Sequence, residues 1–165
     1  MAKFDEETIR RLFDSNLKSA AAALVRLPFC CCHDPNFRGL TGWVFEQTIQ
    51  TCLREEMKAL DICTEIREQV SLGGSARADL LVGMVALEVK ARGLFDGKAA
   101  SRYRKYSVAA TERGYTYLYL TLQESYRPYR EAMVKALGRQ SAFFLDTPGD
   151  WSRLINRTFA LRTRR

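Results

Sequence analysis

Asp79, Glu88 and Lys90 are residues of the right types for metal or phosphate chemistry, and their spacing brings them together. They lie in Arg77-Ala78-Asp79-Leu80-Leu81-Val82-Gly83-Met84-Val85-Ala86-Leu87-Glu88-Val89-Lys90, which reads as two short strands joined at Gly83-Met84. A two-residue loop with glycine first suits a type II′ turn. That turn sets Val82 opposite Val85, Leu80 opposite Leu87 and Asp79 opposite Glu88. Side chains alternate along a strand, so Asp79, Glu88 and Lys90 share one face, and Leu80, Leu87 and Val89 the other. Two carboxylates facing each other across a hairpin repel. Their pairing points to a cation held between them.

A third acid lies upstream. Residues 41–60 read as a helix with Thr41 as its cap and Phe45, Ile49, Cys52, Leu53 and Leu60 as an apolar stripe. Glu46 stands three residues before Ile49 and seven before Leu53, so it points the same way. A carboxylate on an apolar face is costly unless it is paired or ligates a metal. Taken alone, a Glu at the boundary that reaches water or pairs with an Arg is the better account of it. Together the three acids supply the hard oxygen donors that a magnesium ion prefers. A cation so held activates water and neutralises charge on a phosphodiester. A lysine beside it orients or deprotonates the attacking water, or stabilises the transition state.

The surrounding elements alternate between helix and strand. Residues 5–26 read as a helix capped by Asp5, with Ile9, Leu12, Phe13, Leu17, Ala20, Leu24 and Leu27 at helical spacing and Pro28 as its stop. Residues 28–41 are rich in turn formers and read as a loop. A strand is expected over 62–71, followed by a turn at Gly73-Gly74-Ser75 and the hairpin. After a loop over 91–97, a helix over 98–113 carries Ala99, Tyr103, Tyr106 and Ala110 on one face and Lys98, Arg102 and Lys105 on another. The aromatic run 115–122 predicts a strand. A helix over 127–138, a short strand over 141–145 and a helix over 151–161 complete the order, with residues 162–165 as a basic tail. No repeat or linker divides the chain, so residues 1–165 form a single domain.

The 165 residues suffice for one real core, and 47% of them are hydrophobic. No apolar run approaches the roughly 20 residues that span a membrane. The acidic start Met1-Ala2-Lys3-Phe4-Asp5-Glu6-Glu7 has no apolar stretch, so no secretory leader and a cytoplasmic location are expected. The net charge is +7. Residues 90–113 carry seven Lys/Arg against two acids, and residues 150–165 five Arg against one Asp. Clustered positive charge is the footprint of a polyanion partner, although a solvated basic face also gives it.

Five cysteines, an odd count, argue against a disulfide framework. Cys30-Cys31-Cys32-His33 lacks the paired spacing of a zinc site, so the thiols are read as buried or half-buried packing groups. His33 is the only histidine, which rules out a multi-histidine site. It reads as an ordinary loop residue.

A helix with Glu46, three strands with Asp79 on the second and Glu88-Val89-Lys90 on the third, then a helix and a strand: this order resembles the PD-(D/E)xK nuclease superfamily over residues 40–122, about half the chain. The resemblance implies a restriction-endonuclease-like, three-layer α/β/α sandwich. Its central mixed sheet would have about five strands and an αβββαβ core, here with an extra N-terminal helix over 1–39 and a helix-strand-helix over 123–165. It implies a metal-dependent DNA nuclease. Glu46, Asp79 and Glu88 would be the ligands of Mg²⁺ (or Mn²⁺), and Lys90 the catalytic cation. Ala78 stands where the family often has proline. No Gln follows the motif on the 98–113 helix, where Arg102, Tyr103, Lys105 and Tyr106 are the candidates. With Arg77, Arg92 and Lys98 these make up the expected nucleic-acid surface. Lys98, Arg102, Arg104 and Lys105 would grip phosphates. Tyr103 and Tyr106 either stack on unpaired bases or pack in the core. DNA is the implied partner, and a homodimer or a subunit of a larger complex stays open. The alternative is a nuclease-fold binding or structural subunit without catalysis.

Overall fold

The computed structural model describes residues 2–26, 37–93, 98–124 and 126–160. The Cys30-Cys31-Cys32-His33 stretch, the breakers of the loop over 28–36 and the tail at 162–165 lie outside the described residues. Five helices and five strands are described: α1 (Glu6–Arg26), α2 (Phe37–Ala59), β1 (Ile66–Gly73), β2 (Ala76–Val82), β3 (Val85–Lys90), α3 (Lys98–Glu112), β4 (Thr116–Thr121), α4 (Arg127–Leu137), β5 (Ala142–Phe144) and α5 (Asp150–Ala160). The class is α/β. One mixed sheet runs in the order β1-β2-β3-β4-β5. The first three strands are antiparallel, and β3, β4 and β5 are parallel.

The helices cover both faces of this sheet, an arrangement compatible with a three-layer α/β/α sandwich. On one face Ile9 and Phe13 of α1, Phe45, Ile49 and Leu53 of α2, and Trp151 and Leu154 of α5 pack on Leu80, Leu87, Leu118 and Phe143. On the other, Ala99, Tyr103 and Ala110 of α3 and Met133 of α4 pack on Leu81, Ala86, Tyr117 and Tyr119. Each of these large side chains contributes roughly 1.5–3 kcal/mol on leaving water. No helix among the described residues is long and apolar enough to cross a membrane.

Local chemistry sets the element ends. Asp5 Oδ1 accepts the Thr8 N–H at 2.7 Å and caps α1 as expected. Thr41 does not cap α2. The helix starts earlier, at Phe37, so Thr41 lies within it. At the other end, Ile62 N–H reaches Met57 O and Asp61 N–H reaches Lys58 O, with Asp61 at φ 51°. This is a Schellman stop. It holds residues 60–65 out of the sheet, so β1 begins at Ile66 rather than Ile62, and Leu60 is exposed instead of joining the stripe. β1 also runs on to Gly73, leaving Gly74-Ser75 as the turn. Cys52 is buried, and burial pushes its thiol up to about 12. Cys63 is exposed, because the same stop leaves it beyond the packed helix.

Glu56 fastens the two ends of the chain to α2. It is fully buried and accepts the Lys3 N–H (2.8 Å), the Phe4 N–H (3.0 Å) and the Trp151 indole N–H (2.9 Å). Removing a buried acceptor strands its donors at a cost of about 1–3 kcal/mol for each group left dry. Glu56→Ala is therefore expected to lower stability by roughly 2–4 kcal/mol in urea unfolding followed by Trp151 emission. An unchanged midpoint would show that this clasp is not a stabilising element.

Candidate active site

The Gly83-Met84 turn and the hairpin register stand as read. Gly83 has φ 59° and Met84 does not have positive φ, the combination a type II′ turn requires. Leu80 pairs with Leu87, Leu81 with Ala86 and Val82 with Val85. The pairing then stops. Asp79 is not a ladder partner of Glu88.

The break extends into β1. Pairing of β1 with β2 skips Gln69 and Asp79 and resumes with Val70 and Ala78. Gln69 sits at φ 51°, left-handed for a residue with a side chain. On either side of the break the strands exchange faces. Ile66, Leu80 and Val82 belong to the α1/α2/α5 core, whereas Val70, Leu72, Ala76 and Ala78 belong to the α3/α4 core. Asp79 sits at this crossing point, within reach of α2 on one side and of β3 on the other.

The side chains converge there. Asp79 Oδ2 accepts the Val89 N–H at 2.8 Å and the Lys90 ammonium at 2.9 Å. Lys90 Nζ also lies 2.6 Å from Glu88 Oε1. Gln69 Nε2 spans Glu46 Oε2 (3.4 Å) and Asp79 Oδ1 (3.5 Å). Asp79 and Glu88 are buried, and Glu46 and Lys90 are half-buried. Glu46 thus faces the site, not open solvent.

The electrostatics follow from three acids sharing one ammonium. Burial pushes the Glu46 carboxyl from 4.5 to about 7, with the Asp79 charge adding to it and Lys90 opposing. Burial also raises Glu88, again with Asp79 adding and Lys90 opposing. Burial pulls Lys90 down, but the Glu88 and Asp79 carboxylates outweigh it and hold the ammonium protonated. The close Lys90–Glu88 contact is therefore an ammonium–carboxylate pair.

Three aromatic side chains wall Glu88 on the α3 side. Tyr119 is its neighbour across the parallel β3–β4 pairing, and the Tyr103 ring lies 5.2 Å from the Tyr119 ring. Burial, and next the Glu88 charge, raises the Tyr103 and Tyr117 phenols. Tyr103 is thus a core residue and offers no face to a ligand, which corrects its place on the expected nucleic-acid surface. It was misplaced because its helix has two usable stripes and only the sheet decides which one is covered.

Four other expected residues do come together. Lys98, Arg102, Lys105 and Tyr106 line one groove of about 540 Å³ between α3 and the β1–β2 turn, closed by Gly73, Ser75 and Ala76. No acid lines it. Arg102 stands between groove and site: its guanidinium lies 5.3 Å from the Tyr103 ring, and its charge acts on Glu88. Arg77 and Arg92 are exposed and do not line the groove. Gln69 was not read as a site residue. A glutamine in a strand carries no sign that it will turn left-handed.

The donor set suits a divalent cation in kind. Three carboxylates and one ammonium leave a charge of two minus, all on hard oxygens. In the arrangement described, Lys90 bridges Asp79 and Glu88, and no three His, Cys, Asp or Glu side chains among the described residues are gathered closely enough to hold an ion. The chain matches no protein-family model, no curated protein and no solved structure.

The raised Glu46 carboxyl has a pH signature. Between 4.5 and about 7 the folded chain binds a proton that the unfolded chain has lost, so stability falls as pH rises through this window. The loss is complete above it. Glu46→Gln, neutral throughout, is expected to exceed the parent by roughly 1–2 kcal/mol at pH 8, after allowance for solvent screening, and to match it near pH 4.5. Urea midpoints in EDTA measure this. The same difference at both pH values would disprove the buried-charge account.

Proposed function

We propose that this chain is a Mg²⁺-dependent deoxyribonuclease with a restriction-endonuclease-like fold. The observation that carries the reading is the Lys90 ammonium, 2.9 Å from Asp79 and 2.6 Å from Glu88, with Glu46 electrostatically joined to all three. The element order α2-β1-β2-β3-α3-β4 supports it, because it is the αβββαβ order of the PD-(D/E)xK core that the sequence resembles.

Glu46, Asp79 and Glu88 would hold the cation, with Mn²⁺ as a substitute for Mg²⁺. When bound, the cation would neutralise charge on the scissile phosphate and make water a better nucleophile. The chain's own groups supply the rest. Lys90 keeps a fixed positive charge where negative charge builds on the phosphate. Beside the cation, the Lys90 ammonium would also orient the attacking water. Gln69 fixes the separation of Glu46 and Asp79 through one amide group. Arg102 and the groove draw in a polyanion, whose affinity falls with salt.

One observation favours a second reading. Lys90 already bridges Asp79 and Glu88, which is also how an inactive, nucleic-acid-binding relative of such an enzyme would be stabilised. Cleavage separates the two. Labelled single-stranded, duplex, flap and junction DNAs are incubated with Mg²⁺, Mn²⁺ or EDTA. Cutting is expected only with metal. Asp79→Ala and Lys90→Ala are each expected to reduce it at least about a hundredfold with an unchanged circular dichroism spectrum. Full activity in the Asp79→Ala protein sinks the assignment. DNA binding with no cutting and no calorimetric signal for Mg²⁺ selects the second reading.

A further inference from the structure

Among the described residues Trp43 is the most exposed of the large apolar side chains, 57% open to solvent. It lies on α2 one turn before Glu46, about 4.5 Å along the helix axis. The two point in similar directions, since residues three apart share a helix face. No ring partner of Trp43 occurs among the described residues. An exposed indole offers a flat apolar face on which a base can stack.

The groove lies on the α3 side of the sheet, the layer opposite α2. Lys98, Arg102 and Lys105 lie at helical spacing along about 10.5 Å of α3. Tyr106 supplies an aromatic wall to the same space. The groove has the volume of a small-molecule pocket, room for about one or two nucleotides. It therefore offers three cations and one aromatic ring to a phosphate backbone and an adjoining base. Arg102 links it to Glu88.

From these two features we infer that the substrate is a nucleic-acid strand with unpaired bases. Its phosphates lie along Lys98, Arg102 and Lys105, with Tyr106 against one base, and a base beyond the carboxylates stacks on Trp43. This rests on the nuclease reading for the direction of the strand across the site, but it commits to a substrate form that the acids and Lys90 do not determine.

The chain's two tryptophans make the test direct. Trp151 is fully buried against Glu56, so only Trp43 is open to a ligand. Full-length protein in EDTA is titrated with a twelve-nucleotide DNA strand, an RNA strand of the same sequence, and the DNA duplex. A single strand of DNA or of RNA is expected to quench tryptophan emission and to bind at least tenfold more tightly than the duplex at equal salt. Trp43→Phe is expected to abolish the quench while the Trp151 emission stays. Trp43→Ala and Tyr106→Ala are each expected to weaken strand binding by roughly 5- to 100-fold and to leave duplex binding unchanged. Equal or tighter duplex binding, or strand binding indifferent to Trp43→Ala, overturns the inference. Metal-dependent cutting of duplex that Asp79→Ala abolishes, without a Trp43 quench, leaves the nuclease reading standing and removes only the strand. Quenching by a strand that no metal causes to be cut does the reverse.

Discussion

One oxygen, Oδ2 of Asp79, sits where the sheet changes character. It takes the Val89 N–H and the Lys90 ammonium just where main-chain pairing between β2 and β3 ends. A strand end that stops pairing inside a protein leaves N–H groups that need a partner. Here a carboxylate is that partner, and a charged acceptor makes a stronger bond than a carbonyl does. The cluster of Asp79, Glu88 and Lys90 grows from this substitution. Because Asp79 is engaged by β3, it is fixed beside Glu88 without being its ladder partner. Because β1 and β2 exchange faces there, Glu46 can approach from the helix on the opposite layer.

The rigidity of the site comes from what surrounds it. α2 carries Glu46 on a helix held by Phe45, Ile49 and Leu53 in the core and by the Glu56 clasp to both ends of the chain. Glu88 and Lys90 lie on a strand with neighbours on both sides and buried side chains above and below. Sites built on such elements hold their geometry better than sites on loops. A second buried carboxylate, Asp150, serves packing alone. It binds Arg139 through both oxygens (2.7 and 3.2 Å), contacts Arg153 and accepts the Phe144 N–H, locking β5 to α5. Buried carboxylates in this fold thus differ in their partners: N–H groups alone at Glu56, two arginines and an N–H at Asp150, and a shared ammonium at Asp79 and Glu88.

Much of this was legible in the chain. Gly83 announced the hairpin because only a turn with positive φ places glycine there, and the register of Leu80 with Leu87 followed from it. Glu46 was legible as an anomaly on an apolar stripe. What sequence could not give was any departure from regular period. Alternation predicts one face for Asp79, Glu88 and Lys90, but not the reversal at Gln69, since nothing local marks a glutamine for φ 51°. Thr41 resembled a cap because Phe37–Leu40 has no strong helix signature, yet packing carries the helix four residues further back. Tyr103 and Tyr106 stand three apart on one helix, and only the position of Tyr119 in the sheet buries the first and leaves the second in the groove.

The kink at Gln69 has a consequence for how this molecule lives among copies of itself. β1 is an outer strand of the sheet, and an outer strand offers its unpaired backbone to any other chain that arrives. A left-handed residue in mid-strand prevents the long, flat edge that such association needs, and the exposed charges of Arg67 and Glu68 beside it discourage approach further. β5, at the opposite margin, is only three residues long. The irregularity at Gln69 beside Asp79 therefore also keeps the sheet from offering a flat edge to another strand, so the acidic cluster and the protected edge share one local distortion.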